Sequence, residues 1–181
     1  MDKGGPIPRW RVLLAWTAVG VLVGCNSTQV SSKEEYLART QAIAREFDRY
    51  ETTVLSAGLP DFKGKPRAEM LHILASSIRD NALKEDSLAR EIEILHPPQG
   101  FEDHKRSFKH LFEGLAQRLR IWADAVESGN KSSEEEAGNA IDTFIPEALN
   151  QIIQVVKKHG ADVADLKAMR DRLGKDIHGG G

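Results

Sequence analysis

One cysteine, Cys25, is the whole thiol inventory of this 181-residue chain. An internal disulfide is therefore excluded, and so are multi-thiolate metal sites and a Cys-x-x-Cys-His haem attachment. Nowhere do polar and apolar residues alternate over a useful length, so no sheet is expected. The longest uncharged apolar run, residues 12–23, is a dozen residues. That falls short of the roughly twenty needed to cross a bilayer. A basic surplus is missing too: 25 Lys and Arg stand against 27 Asp and Glu, a net charge of −2. Nucleic-acid binding needs a basic face to neutralise phosphates, so no nucleic-acid partner is expected. Gly-x-Gly-x-x-Gly, phosphate-loop, nucleophile-elbow and zinc-protease signatures are absent as well. No catalytic constellation is expected.

What is present begins at the amino terminus. Lys3, Arg9 and Arg11 against Asp2 make a positive start, the apolar run follows, and small Gly24 precedes Cys25. Charged, apolar and small-residue segments in that order predict a secretory signal. Leu22-Val23-Gly24-Cys25 resembles the lipobox of bacterial lipoprotein precursors. The resemblance implies diacylation of the Cys25 thiol, cleavage between Gly24 and Cys25, and acylation of the new amino terminus. It also implies a lipid-anchored, extracytoplasmic protein of the cell membrane or, with Asn26 rather than Asp after the cysteine, the outer membrane. Two or more acyl chains hold a protein stably where one holds it only reversibly. Once Cys25 is modified, thiolate ligation and cysteine catalysis are excluded. Removal of the leader, net charge +2, leaves the rest at −4.

Beyond the cysteine, residues 25–32 read as a lipidated tether and residues 33–174 as one domain, with residues 175–181 expected to be a disordered tail. Ser31 and Ser32 each precede a glutamate by three residues, the capping-box spacing. Tyr36, Thr40, Ile43, Phe47, Tyr50 and Val54 then recur in steps of three and four, one face of a helix. A second stripe is Leu71, Leu74, Ile78, Leu88, Ile92 and Leu95. A third is Phe101, Phe108, Leu111, Leu115, Trp122 and Val126, flanked by Phe112 and Leu119. A fourth is Ala137, Ile141, Phe144, Ala148, Ile152 and Val155, with a capping box expected at Ser132 and Ser133. Pro146 inside it predicts a kink or a split, since it lacks an amide donor. Val163, Leu166, Met169 and Leu173 mark a short last helix. The expected fold is all-α, an antiparallel up-down-up-down four-helix bundle with a short C-terminal helix. The 58–66 and 129–133 loops are expected to share the end far from the lipid, and the Pro97-Pro98 turn to lie near it.

Glu69-x-x-His72 and Glu93-x-x-His96 match the spacing of di-iron bundles, but both fall on the second helix, about 36 Å apart along it. They cannot share one metal, so surface roles are expected and no metal site is assigned. His104 falls on the third seam between Phe101 and Phe108, where it either responds to ligand or pH or simply ties the carbonyls of its turn. Asn81 and Glu85 interrupt the second seam and either line a polar cavity or set helix register. The 58–66 loop carries Leu59, Phe62, Lys63 and Lys65 on a Pro- and Gly-stiffened turn, a possible partner contact. Leu59 and Phe62 are equally suited to fold inward.

The expected role is structural or partner-binding in the bacterial envelope. It involves no cofactor beyond the covalent lipid, and its partners are the membrane and an envelope protein; the oligomeric state stays open. The alternative is a small-ligand or metal binder using the interior around His104, Asn81 and Glu85. Replacing Cys25 with Ser is expected to leave an uncleaved precursor that takes up no labelled palmitate. A cleaved, labelled product from that variant would refute the lipobox.

Overall fold

The computed structural model of the chain describes residues 32–57 and 62–178. These form five α-helices: α1 Lys33–Ala57, α2 Arg67–Glu93, α3 Glu102–Ser128, α4 Lys131–Lys158 and α5 Ala164–His178. The fold is all-α, with no strand among the described residues. Gly24, Cys25 and Leu59 lie outside the described residues, as does the 179–181 end of the expected tail. The helix α5 continues past residue 174, so residues 175–178 are helical rather than irregular.

Local chemistry sets most of the boundaries. The Ser32 hydroxyl accepts the Glu35 amide at 3.1 Å, one half of the expected capping box. Gly129 closes α3 in the left-handed region at φ 68°, which only glycine adopts without strain. The start of α4 differs from expectation. The Asn130 side chain accepts the Ser132 and Ser133 amides at 3.1 and 3.3 Å, so Asn130 is the cap and both serines lie inside the first turn. The Asp162 carboxylate accepts the Ala164 amide at 2.9 Å and starts α5.

Pro146 does not split α4, which runs unbroken from Lys131 to Lys158. Buried Phe144 and Ile145 before it, and Ala148 and Leu149 after it, hold both halves to the core. α4 also carries a wider apolar face than one stripe, with Ile145, Leu149, Ile153 and Val156 buried beside the expected row. The reason is that α4 packs against both α3 and α5. Val156 is buried in place of the expected Val155. Phe112, expected on a flank, is fully buried with its ring edge-on to Phe47 at 5.6 Å, whereas Trp122 is only half-buried. On α2 the buried residues include Ala75, Ala82 and Ala89 at every second turn, and α3 is the helix that α2 packs against most.

Side-chain pairs report how the helices line up. His72, Arg79, Asp86 and Glu93 on α2 meet Glu127, Asp124, Arg120 and Lys109 on α3 in that order. Glu46 and Tyr50 on α1 meet Lys84 and Asn81 on α2. Most of these pairs are exposed and contribute little energy each; they mark register. Leu71 lies 3.3 Å from where a Cβ on Gly129 would sit, so the start of α2 and the 129 turn share one end. At the other end the Lys33 ammonium donates to the His159 carbonyl at 3.0 Å and sits 5.5 Å over the Phe101 ring.

The α3–α4 contact turns on Gly114. A Cβ there would lie 2.3 Å from the Phe144 ring, whose face is covered by the Arg118 guanidinium at 3.8 Å. Gly114→Ala is therefore expected to destabilise the fold by about 1–3 kcal/mol through overpacking, despite a gain of roughly 1 kcal/mol in helix propensity. Urea denaturation measures it, and a midpoint equal to or above the parent's would contradict the contact.

Candidate functional site

His104 occupies the first turn of α3 and is 1% exposed. Its ring lies between Tyr36 of α1, centroids 5.3 Å apart, and Phe108, 5.0 Å away. The Tyr36 hydroxyl is 3.3 Å from His104 Nδ1. The ring thus engages another helix rather than the carbonyls of its own turn. Burial pushes the imidazole down to about 4, with nearby His159 acting in the same direction and Asp103 against it. Burial also raises the Tyr36 phenol, so both groups are neutral at physiological pH. Among the described residues Nδ1 is the acceptor available to the Tyr36 proton. The tautomer of the neutral ring sets which of the two donates: with the proton on Nε2 the hydroxyl donates to Nδ1.

Beside the ring, Asp103 collects three donors. These are the His104 amide at 2.9 Å, His159 Nε2 at 2.8 Å and the Lys158 ammonium at 2.6 Å. Lys158 and then His159 hold the carboxyl well below the usual carboxylate range. The His159 ring stacks on Phe101 with centroids 4.0 Å apart. This group joins the start of α1, the start of α3 and the end of α4.

A cleft of about 450 Å³ opens next to His104 between α1 and α5. Leu37, Ala44, Phe108, Val156, Leu166 and Met169 supply apolar walls. Thr40, Gln41 and His104 supply uncharged polar groups, and the Thr40 hydroxyl donates to the Leu37 carbonyl at 3.0 Å. Two ion pairs cross its rim from α1 to α5, Arg45–Asp165 at 3.2 Å and Asp48–Arg172.

Asn81 and Glu85 belong to a different place. The Tyr50 hydroxyl donates to Asn81 Oδ1 at 2.7 Å. Tyr50 is about four turns from Tyr36 along α1, a rise of about 21 Å, so His104 and the Asn81–Glu85 pair do not form the single interior site expected. Glu85 is fully buried, and neither carboxyl oxygen has a hydrogen-bond partner among the described residues. Burial pushes its carboxyl up to about 9, the neighbouring Glu51 adds to the rise, and Lys84 opposes it. Glu51 is pushed up to about 7 by burial. Near neutral pH Glu85 thus keeps its proton, while Glu51 stands close to the midpoint of its titration.

Phe62 is half-buried, Lys63 is exposed, and Lys65 pairs with Glu69. His72 is exposed and 2.9 Å from Glu127, and His96 is exposed. Among the described residues, no group of three His, Cys, Asp or Glu side chains is placed to hold a metal, and no helix is long and apolar enough to cross a membrane. The sequence pointed to His104 because a polar residue interrupts an apolar seam. It offered no comparable signal for Tyr36 as its partner, for Asp103 with His159, or for the ion pairs on the rim. No family model, curated protein or solved structure matches the chain.

Glu85 has a pH consequence. Below its ordinary value of 4.5 the carboxyl is protonated whether the chain is folded or not. Between that value and about 9 the unfolded chain loses the proton that the folded chain keeps, so stability falls as pH rises. Glu85→Gln is expected to remove this component. Its advantage over the parent in urea should grow between pH 5 and pH 8 by more than about 1.4 kcal/mol, a tenfold change in the folding constant. An advantage independent of pH would contradict the neutral-acid assignment.

Proposed function

We propose that this chain is a lipid-anchored, extracytoplasmic binding protein that holds a small molecule in the cleft between α1 and α5. The observation that carries the reading is the cleft itself. Its volume of about 450 Å³ falls within the usual range for small-molecule sites, and apolar walls surrounding a few polar groups are the usual composition. A buried histidine at the wall, neutral and already oriented by Tyr36, is what such a site requires to fix a ligand's direction. The role is binding rather than catalysis, since a lone neutral imidazole with no nucleophile beside it lacks the parts of an acid–base site.

The proposed architecture is an antiparallel up-down-up-down four-helix bundle with α5 as a short fifth helix closing one side. The order of side-chain pairs supports it. As numbers rise along α2 they fall along α3, and Asp103 of α3 meets Lys158 of α4 while His110 meets Phe144. Anchoring rests on Leu22-Val23-Gly24-Cys25. An anchor at Cys25 would turn the end holding Lys33, Phe101 and His159 toward the bilayer. The cleft begins at Leu37, about 6 Å of helix rise from Lys33, so it would lie in the membrane-proximal half.

The test uses N-phenyl-1-naphthylamine, an uncharged apolar dye that fluoresces when shielded from water. The chain carrying Cys25→Ser is expected to bind it with micromolar affinity, and Ala168→Trp, which adds bulk at an exposed position lining the cleft, to weaken that binding at least tenfold. Equal binding by both proteins would remove the cleft as the site.

A further inference from the structure

The charges around the cleft indicate what it holds. The cations lining it are Arg45 and Arg172, and each faces a carboxylate across the rim, Asp165 and Asp48. The remaining lining carboxylate, Asp162, accepts the Ala164 amide at 2.9 Å as the cap of α5. An anionic ligand would therefore compete with a carboxylate already facing each lining cation, even though Arg172 Nε and Nη2 are buried without a hydrogen-bond partner among the described residues. A cationic one would have to enter beside a ring that burial already keeps from accepting a proton. Bringing an ion into such surroundings without a partner is strongly unfavourable.

Hydrogen bonding narrows the class further. His104 lines the cleft, and the pairing of Nδ1 with the Tyr36 hydroxyl leaves Nε2 as the ring nitrogen outside that pair. The Thr40 hydroxyl has committed its proton to the Leu37 carbonyl. The uncharged polar groups left to a ligand are thus the His104 ring and the Gln41 amide, set among apolar side chains. We propose that the cleft takes an uncharged amphiphile, an apolar body bearing a hydroxyl or carbonyl oxygen that accepts the His104 Nε2 proton. This inference rests on the ligand-binding reading above and gives it a chemical class. The α5 wall is joined to α1 at the rim by the two ion pairs, of which Arg45–Asp165 is the more exposed.

Displacement of the bound dye from the full chain carrying Cys25→Ser tests the class. The competitors are 1-dodecanol, dodecanoate and dodecyltrimethylammonium, each kept below its micelle-forming concentration. The alcohol is expected to displace the dye at least tenfold more effectively than either ion. With dodecane as a fourth competitor, the alcohol is expected to outperform it in the parent and to lose that advantage in His104→Phe, while dye binding persists. A second measurement, nitrogen NMR of the histidines in the chain with His104 intact, is expected to show the His104 Nε2 resonance shift on adding the alcohol while Nδ1 moves little. Displacement by either ion equal to that by the alcohol, or an unmoved Nε2 resonance, overturns the proposed class and leaves the cleft as a binding site. Dye binding that is absent, or that survives Ala168→Trp, overturns the site and the class together.

Discussion

Tyr36 holds this molecule in its observed form. Its ring is fully buried against Phe101 and His104, and its hydroxyl joins the His104 imidazole. These contacts bind the beginning of α1 to the beginning of α3, close to where His159 closes α4. α1 needs the connection because it packs only lightly on its neighbour α2. Farther along, Phe47 against Phe112 is the next large contact between α1 and the core, and Arg45 and Asp48 reach α5 only through ion pairs at the rim. One wall of the cleft, the orientation of His104 and the cover over Glu85 all depend on α1 remaining in place.

The core is unequal in composition. Between α2, α3 and α4 the buried residues are apolar, with Ala75, Ala82 and Ala89 on α2 and Phe144 of α4 seated on Gly114 of α3. The buried polar residues among those described, Thr40, Glu85 and His104, all belong to the α1 side. Thr40 is on α1, His104 bonds to it, and Glu85 lies near Glu51 on it. Burying polar groups there costs stability that purely apolar packing would not. A helix with thin contacts and polar groups beneath it opens at lower free energy than the rest. The side of the protein with the cleft is thus also the side with the least to lose on moving, which suits the proposed binding role.

Much of the fold was legible in the residues. The Ser32 cap, the Gly129 stop and the stripes of α1 and α5 follow from local spacing, and nearly all of those side chains are buried. The errors have physical causes. Alanines on α2 give a weak apolar signal, yet Ala75, Ala82 and Ala89 are buried in the core. Of the two outcomes expected at Pro146 the split is absent, and buried residues on both sides of it hold α4 to the core. Asn130 took the cap from Ser132 and Ser133 because its side chain reaches their amides first in the chain. At the site, polarity on an apolar seam revealed His104, Asn81 and Glu85 but not how they group.

That contrast runs through the whole chain. Helix periodicity, capping residues and the character of the Cys25 run depend on neighbours a few positions apart, so the sequence by itself determined an all-helical chain and its main boundaries. The partner of a side chain across a helix interface depends on how whole helices pack. Only the tertiary structure decided that His104 meets Tyr36, that about 21 Å of α1 separates it from the Asn81–Glu85 pair, and that a cleft opens between α1 and α5. Local spacing cannot encode these because each joins residues brought together by burial.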